Sequence, residues 1–394
     1  MTITQSSAQR AATDRIAFAR TPISPDAAPA VAEVLASGWL TTGPQVAAFE
    51  REFAAYVETE HAVAVASCTA ALELSLRSLR LPAGTPVLTS TVTFCGAVNA
   101  ILHAGLRPVL VDVDIDTLMP NAESVAAAVR RSGPPSAAVV VHFAGYPASV
   151  SELADAAQLP LSRVIEDAAH AVGTRVGERS VGGISAAACF SFYATKNLPI
   201  GEGGMVTTDD GELADFVRRC RLHGMTRDAW KRYLPGNSWR YSVEDLGLKA
   251  NMTDLQAAIG RAQLPEVPNW QRRREQLVAR YDELLADVPG IVRPARPQNG
   301  RHSWHLYVIR VLPEFGTSRD ELIMQLADAG IDCSVHFIPM HQQPYLKTLP
   351  DVHARHFPVA EAAFRQYLSL PLYPDLTEAQ VDRICAQIAA TAAH

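Results

Sequence analysis

Apolar runs alternate with helix-like segments along the first half of the chain. Residues 109–113 (VLVDV) and 139–141 (VVV) are nearly continuous apolar runs, which is typical of strands that helices cover on both faces. The order from residue 61 to residue 167 therefore predicts an α/β domain with a mostly parallel sheet. We place strands at 61–66, 86–89, 108–112, 138–143 and 163–167, and helices at 69–79, 94–104, 121–131 and from 149 onward.

The second half has a different pattern. Short strands at 187–192 and 205–208 flank a lysine loop, and a helix at 253–263 ends in the sequence LPEVP. A long charged helix at 270–285 follows, then a strand at 305–311, a helix at 318–329, a strand at 334–337 and a helix at 378–390. The elements from residue 305 onward predict a smaller α+β domain. We divide the chain into an N-terminal arm (1–24), a large α/β domain (25–265) and a small C-terminal domain (266–394).

The composition argues against nucleic-acid-binding, disulfide-rich and membrane-spanning classes of protein. The chain has 394 residues, and 48% of them are hydrophobic, which is enough for a sizeable core. With 35 basic against 41 acidic residues and no basic run, we expect no nucleic-acid partner. Six scattered cysteines without a C-x-x-C pair favour a reducing cytoplasm over a disulfide framework. No apolar run approaches the roughly 20 residues of a membrane span, so we expect no membrane association.

An aspartate and a lysine carry the strongest chemical signal. Asp167 ends a predicted strand in the sequence VIEDAAHA, where doubly wound sheets place their ligands. Lys196 lies in the loop FSFYATKNLPIGEGG, whose glycines allow close approach of the backbone to a ligand. An amine that holds an aldehyde, beside an acid that keeps a ring nitrogen protonated, is what pyridoxal 5'-phosphate (PLP) requires. Taken singly, Asp167 is equally consistent with a helix N-cap, and Lys196 with a solvated loop lysine.

A phosphate-binding element is predicted between the strand at 61–66 and the helix at 69–79. Backbone N–H groups at a helix N-terminus bind phosphate, which makes Thr69 and Ala70 candidate donors, with Ser191 across the site. Ordinary helix capping accounts for the same sequence equally well. Phe94 opens the next helix and is a candidate to stack on the cofactor ring, although a lone aromatic more often belongs to a core.

These segments, in their order along the chain, resemble the DegT/DnrJ/EryC1/StrS family of sugar aminotransferases, a branch of the fold type I PLP enzymes. The resemblance extends from about residue 18 to the C-terminus. It implies the fold type I architecture, with a large, mostly parallel mixed sheet domain and a smaller C-terminal α+β domain. The matching motifs are GWLTTGP (38–44), SCTAALEL (67–74), TVTF (91–94), VHFAG (141–145), EDAAHA (166–171), residues 191–204, NMTD (251–254), HSWHLY (302–307) and VHFIP (335–339).

The resemblance assigns roles to the residues that match these motifs. It implies that Lys196 holds the PLP aldehyde and shuttles the substrate proton, while Asp167 holds the pyridine nitrogen. A lysine here, rather than a histidine, is typical of the family's transaminases as opposed to its dehydratases. The remaining cofactor residues that it implies are His170 near the ring hydroxyl, Thr69, Ala70 and Ser191 at the phosphate, and Phe94 against the ring.

Family sites are completed by a second subunit, so the resemblance also implies a homodimer with a shared active site. Many members carry Asn-Tyr-Arg-Met where this chain has Lys-Ala-Asn-Met at 249–252, and the latter resembles the branch that acts at C4 of nucleotide-linked keto-sugars. Asn251 is then the candidate for a phosphate contact made across the interface. The substrate candidates are Thr41, Thr42, Lys249, His336 and Phe337. A capped turn before Pro44 remains the alternative for the two threonines.

The resemblance implies a PLP-dependent aminotransferase that transfers an amino group from glutamate to a keto-sugar on a nucleotide diphosphate, with a 4-keto-6-deoxy sugar favoured. A 3-keto sugar, a keto-cyclitol or another ketone stays open, because the cofactor residues are shared. A PLP-binding regulator without activity is less favoured, since the lysine is present. The histidine pairs 302/305 and 336/341 lack the spacing and interleaved carboxylates of a metal site, so we expect no metal. No nucleotide-binding glycine motif occurs.

Overall fold

The computed structural model describes residues 15–226, 241–349 and 352–392. Its strands are β1 (His61–Val65), β2 (Pro86–Ser90), β3 (Arg107–Val111), β4 (Ala137–Val141), β5 (Val164–Asp167), β6 (Arg175–Val176), β7 (Arg179–Ser180), β8 (Ala187–Ser191), β9 (Gly204–Thr208), β10 (Ile291–Val292), β11 (Gly300–Arg301), β12 (Tyr307–Val311) and β13 (Tyr367–Leu370). Its α-helices are α1 (Ala27–Ser37), α2 (Pro44–Val57), α3 (Cys68–Ser78), α4 (Cys95–His103), α5 (Ala122–Ser132), α6 (Val150–Ala156), α7 (Gly211–Cys220), α8 (Asp254–Gln263), α9 (Val267–Leu284), α10 (Arg319–Asp328), α11 (Pro358–Phe364) and α12 (Glu378–Ala392).

The large sheet has seven strands within the described residues, in the order β1-β9-β8-β5-β4-β2-β3. The pairs from β8 through β5, β4 and β2 to β3 are parallel, whereas β9 runs antiparallel to both β1 and β8. Every residue of β4, β5, β8 and β9 is buried, as expected for strands covered on both faces. The α/β fold with a mostly parallel mixed sheet is therefore confirmed.

The second half contains a smaller sheet, in the order β10-β12-β13. Helices α9, α10 and α12 pack around it in an apolar cluster that includes Tyr281, Leu322 and Ile384. The predicted strand at 334–337 is wrong: the segment meets the outer edge of β13 only in an isolated bridge between Ser334 and Ser369 and does not continue along it. The sequence analysis also missed α2, α11 and β13. In α2 the spacing of Val46, Phe49, Phe53 and Val57 is typical of an amphipathic helix and was a usable signal.

The boundary at 265/266 stays a proposal. The cluster around Tyr281 lies entirely to one side of it, apart from Ile16. A second cluster crosses it, because Leu88 and Val140 of the large sheet share a core with Leu306 and Phe357. The two regions therefore pack as neighbours with a common apolar interface.

The described part of the N-terminal arm, residues 15–24, packs against the rest of the chain. Ile16 is buried, and its backbone exchanges hydrogen bonds of 2.8 and 2.9 Å with residues 330 and 332. Further along, the Thr21 hydroxyl donates to the carbonyl oxygen of Ala194 at 2.7 Å, in the lysine loop. The arm thus connects the small sheet's surroundings with the loop that carries Lys196. Among the described residues, no helix has the length and apolar character needed to cross a membrane.

Gly204 lies very close to the backbone of Ser67 and Cys68. It begins β9 and lies against the N-terminus of α3, where a Cβ atom would be 2.4 Å from the Ser67 carbonyl carbon. We expect Gly204→Ala to lower the free energy of unfolding by about 2–4 kcal/mol, because backbone has to move. Denaturant titration measures this, and Gly211→Ala is the matched control, since its Cβ would meet only His61 at 3.5 Å. Equal stability of the two variants would contradict the prediction.

Candidate active site

A cleft of about 500 Å³ opens where β4, β5 and β8 end at their carboxyl termini. Such a position is the usual ligand site of an open α/β sheet. We call it the lysine cleft. It brings together eight of the residues that the sequence singled out, although they lie far apart along the chain: Thr69, Phe94, Asp167, His170, Ser191, Lys196, His336 and Phe337.

Asp167 is the last residue of β5 and is only 6% exposed. Burial raises the pKa of its carboxyl, and the Ala169 N–H, which donates to Oδ1 at 3.1 Å, partly opposes this. The Cys68 thiol lies 3.8 Å from the same oxygen. Within the described residues no donor reaches Oδ2. A buried carboxylate with an unused oxygen is suited to hold a cationic N–H group.

Lys196 is partly buried in a turn in which its backbone N–H donates to the Tyr193 carbonyl oxygen at 2.9 Å. Burial lowers the pKa of its amine to about 8, although the nearby Asp167 carboxylate acts in the opposite direction. The amine is therefore neutral in a larger fraction of molecules near neutral pH than an exposed lysine. A neutral amine is the nucleophilic form.

His170 has a defined proton position. Its Nδ1 accepts the Ala144 N–H at 3.2 Å, so in the neutral ring the hydrogen is on Nε2. Burial, with the positive charge of Lys196, lowers the pKa of His170 well below its usual range. The ring therefore offers a neutral N–H donor. Glu166, which precedes Asp167 in β5, is hydrogen-bonded separately: its Oε2 lies 2.8 Å from His142 Nε2, and its Oε1 accepts the Ser185 hydroxyl at 2.7 Å.

The predicted phosphate end lies at the N-terminus of α3. Thr69 and Ser191 both line the cleft, as predicted. Ala70 does not, because its N–H donates to the Ser67 hydroxyl at 3.2 Å in an ordinary N-cap. The capping that the sequence analysis held as the alternative is thus present here, and Ser67 itself lines the cleft. Whether Ala70 contacts a phosphate stays a prediction.

Aromatic side chains form the opposite wall of the cleft. Phe94 is 59% exposed and lies 5.7 Å from the Phe337 ring. His336 stacks on Phe18 of the arm at 5.4 Å between ring centroids, and its Nδ1 is 2.8 Å from the Ser369 hydroxyl. The hydrogen-bond partner of His336 is therefore a side chain. Phe94 is exposed in the cleft rather than buried in the core.

Besides Ala70, four predicted residues lie outside the lysine cleft of this chain. Thr42 donates to the Met252 carbonyl oxygen at 2.6 Å and accepts from Asn251 Nδ2 at 2.7 Å. Lys249 donates in turn to Asn251 Oδ1. Next to them, Thr41 accepts the Asp254 N–H at 3.1 Å through its carbonyl oxygen. Neither threonine side chain caps α2, because the Asp254 carboxylate accepts the N–H groups of Gly43 and Val46 at 2.8 and 3.0 Å. The bonds instead join the motifs at 38–44 and 251–254.

Comparison with known proteins shows the family of the chain. A model of the DegT/DnrJ/EryC1/StrS aminotransferase family matches residues 22–389. The chain belongs to this family. The spore coat polysaccharide biosynthesis protein SpsC of Bacillus subtilis (strain 168) is 46% identical over 357 residues, which cover 90% of this chain and 91% of SpsC.

Solved structures of family members superpose on the whole fold. Spr1654 from Streptococcus pneumoniae, described as a sugar aminotransferase and solved in its PMP form, is 31% identical with a TM-score of 0.87. That match covers 96% of this chain and 99% of Spr1654. DesV from S. venezuelae, solved in complex with a ketimine intermediate, is 34% identical with a TM-score of 0.82, and the match covers 95% of this chain and 100% of DesV.

The chain is accordingly a sugar aminotransferase of the DegT/DnrJ/EryC1/StrS family, and its cofactor is PLP. The lysine cleft fits that cofactor. It has a buried carboxylate with an unused oxygen, a neutral imidazole donor at His170 and an amine whose pKa is lowered to about 8. Among the described residues, no group of three or more His, Cys, Asp or Glu side chains is placed to hold a metal ion.

Sequence reasoning missed several residues of the cleft. Cys68 and His305 line it, as do Tyr193 and Glu202 on either side of the lysine turn. His305 entered the sequence analysis only as half of a metal pair with His302. In the structure His302 does not line the cleft, and its ring stacks on that of Trp304 with 3.8 Å between the centroids. The one signal for Cys68 was its place between Ser67 and Thr69, since a side chain there adjoins any ligand of the helix N-terminus.

Chemical modification provides a direct test of the Lys196 amine. In the cofactor-free protein we expect acetic anhydride to modify Lys196 with a midpoint near pH 8, because only the neutral amine reacts and burial lowers its pKa. An ordinary lysine has its midpoint at about pH 10.4. The extent of reaction should therefore rise with pH and level off above the midpoint. Mass spectrometry of the tryptic peptides measures this, with the exposed Lys347 as internal reference. A midpoint above about pH 10 would contradict the prediction.

Proposed function

We propose that Lys196 is the residue that carries PLP and that Asp167 holds its ring nitrogen. The observation that carries this proposal is their meeting in one cleft, with the amine's pKa lowered to about 8 and the carboxyl's pKa raised. Either residue alone has an ordinary structural explanation. Together, in a family whose members use PLP, they match the two requirements of the cofactor.

Each further residue of the cleft has a task in this proposal. PLP, when bound, supplies an aldehyde for amines and a ring that takes up electrons from the carbon next to nitrogen. Lys196 is the group that takes a proton from that carbon and returns it at a neighbouring position. The His170 N–H is available for the ring hydroxyl, and Phe94 for the ring face. Thr69, Ser191 and the N-terminus of α3 are available for the phosphate.

For the substrate we propose a keto-sugar carried on a nucleotide diphosphate, with a 4-keto-6-deoxy sugar favoured and glutamate as amino donor. The Lys249 to Met252 sequence supports the choice of C4. The names of two relatives also support a sugar: SpsC is a spore coat polysaccharide biosynthesis protein, and Helicobacter pylori PseC, 26% identical, is involved in the biosynthesis of pseudoaminic acid. Six unpaired cysteines, all of them described, support a reducing compartment such as the cytoplasm.

A homodimer with a shared site is part of this proposal. Lys196 is the only lysine or arginine among the described residues that line the cleft. Two anions, the cofactor phosphate and the nucleotide diphosphate, therefore need positive charge from elsewhere. Lys249, which donates to Asn251 outside the cleft, is suited to supply it to a second subunit. Light scattering coupled to gel filtration tests this. A fully active monomer would rule the shared site out.

The sugar test uses the purified protein, PLP, glutamate and a panel of nucleotide-linked 4-keto and 3-keto sugars together with a keto-cyclitol. The readout is 2-oxoglutarate formed, with the Lys196→Ala variant as blank. Turnover restricted to 4-keto-6-deoxy sugars supports the proposal. Turnover with the 3-keto sugar or the keto-cyclitol alone moves the assignment to that substrate. A protein that binds PLP and turns over none of them favours the regulator.

A further inference from the structure

A second histidine lies beside His170 in the lysine cleft. His305 is 7% exposed, and its ring centroid is 4.3 Å from that of His170. One residue, Ala144, contacts both histidines: its N–H donates to His170 Nδ1 at 3.2 Å, and its carbonyl oxygen accepts the His305 N–H at 3.0 Å. None of the roles proposed above uses His305.

The proton position on His305 follows from its partner, Asn197. The Asn197 Nδ2 group lies 2.9 Å from the Ser303 carbonyl oxygen, which can only accept, so the amide nitrogen faces that oxygen. The amide oxygen then faces His305 Nδ1 at 3.2 Å. Because an amide oxygen can only accept, Nδ1 carries the hydrogen and donates it. The two neighbouring rings therefore have opposite tautomers, with the hydrogen on Nδ1 in His305 and on Nε2 in His170.

Burial keeps this hydrogen bond between neutral groups. Burial, together with the neighbouring His170 and Lys196, lowers the pKa of His305 well below its usual range. Asn197 is itself only 6% exposed, so water does not compete for its side chain. The loss of such a hydrogen bond is unfavourable chiefly because it leaves a buried polar partner without one.

Asn197 directly follows Lys196, so its hydrogen bond to His305 also restrains the turn that carries Lys196. The hydrogen bonds of Asn197 to residues 303 and 305 tie the lysine turn to the segment before β12, more than a hundred residues away along the chain. We propose that His305 is a positioning residue for transamination, which acts through Asn197 to fix the turn that carries Lys196. This inference rests on the proposed role of Lys196.

Two substitutions separate the hydrogen bond from the ring contact. His305→Phe keeps an aromatic ring beside His170 but cannot donate to Asn197. His305→Asn gives up the ring but keeps an N–H donor at the place of Nδ1. Both variants are prepared as full-length protein loaded with PLP. Cofactor content and visible circular dichroism are measured first, because the latter reports how the lysine-bound cofactor is oriented.

We expect His305→Phe to bind PLP in full, to alter the visible circular dichroism, and to lower kcat about tenfold with KM for the amino donor changed less than about twofold. His305→Asn should stay within about threefold of wild-type kcat with an unchanged spectrum. Wild-type kcat and spectrum in His305→Phe would overturn the inference. Equal loss in both variants would overturn it as well, since the donor would then not matter.

A measurement on the unaltered protein keeps the inference testable if His305→Phe fails to fold. Nitrogen-15 NMR of histidine-labelled holoenzyme distinguishes the two tautomers of a neutral ring. We expect the Nδ1–H form for His305 and the Nε2–H form for His170, and the Nε2–H form at His305 would overturn the inference. The same experiment is informative if the wild type transaminates nothing, in which case the proposed function fails independently.

Discussion

Replacement of Lys196 by alanine is expected to lower kcat for transamination by about 10⁴-fold or more. The variant loses both the attachment amine and the group that moves the proton, and no other lysine or arginine among the described residues lines the cleft. Formation of 2-oxoglutarate from glutamate and the accepted keto-sugar measures the loss. In parallel, the absorbance of the lysine-bound cofactor should disappear, since noncovalent binding by the rest of the cleft does not reproduce it.

The matched control is Lys347→Ala, which removes an exposed lysine outside the cleft. Its kcat and cofactor absorbance should equal those of the wild type. Borohydride reduction of wild-type protein should in addition fix PLP on the tryptic peptide that contains Lys196. More than about a tenth of wild-type activity in Lys196→Ala would show that another amine carries the cofactor, and the proposed site would be wrong.

Replacement of Asp167 by asparagine is expected to lower kcat by about 10²–10³-fold, with a smaller effect on stability. Asparagine has nearly the shape of aspartate and accepts the Ala169 N–H equally well, but it has no charge to hold a protonated ring nitrogen. The measurement is steady-state turnover together with the thermal midpoint of the holoenzyme. We expect activity to fall while the fold persists.

This substitution also decides between the two explanations that the sequence left open for Asp167. If the residue were only a cap for the turn that follows β5, asparagine would serve nearly as well and turnover would be unchanged. Asp210→Asn, at the N-cap of α7, is the control for that case, since Asp210 Oδ1 accepts the Glu212 and Leu213 N–H groups at 2.8 and 3.2 Å. We expect Asp210→Asn to retain full activity.

The meeting of Asp167, Thr69, Ser191 and Lys196 in one cleft could be predicted from local patterns, whereas their roles toward the cofactor stay a proposal. The strands that precede these residues can be recognised from their apolar runs. Asp167, Thr69 and Ser191 lie at or just after the ends of such strands, and strand ends meet at one edge of a parallel sheet. Lys196 follows from the glycine-rich loop between two such strands. The predicted strands from 61 to 208 are all present within a few residues of their expected bounds.

The substrate end could not be predicted in the same way. Thr42, Lys249 and Asn251 bind one another and do not line the lysine cleft, although each stands in a recognisable motif. His336 reaches the cleft from a segment that was expected to be a strand and is not. Whether a loop side chain faces the cleft, a neighbouring loop or a second subunit depends on packing between distant segments, which no local pattern encodes.

The sequence by itself determined the fold class and the family, and it indicated the acid and the amine that we propose for PLP, since strand periodicity and residue chemistry are properties of short segments. Only the tertiary structure decided the protonation of the site. The tautomers of His170 and His305 and the lowered pKa of Lys196 arise from burial and from partners drawn from four separate segments. Hydrogen bonds and desolvation act across space, so their effects exist only once the chain has folded.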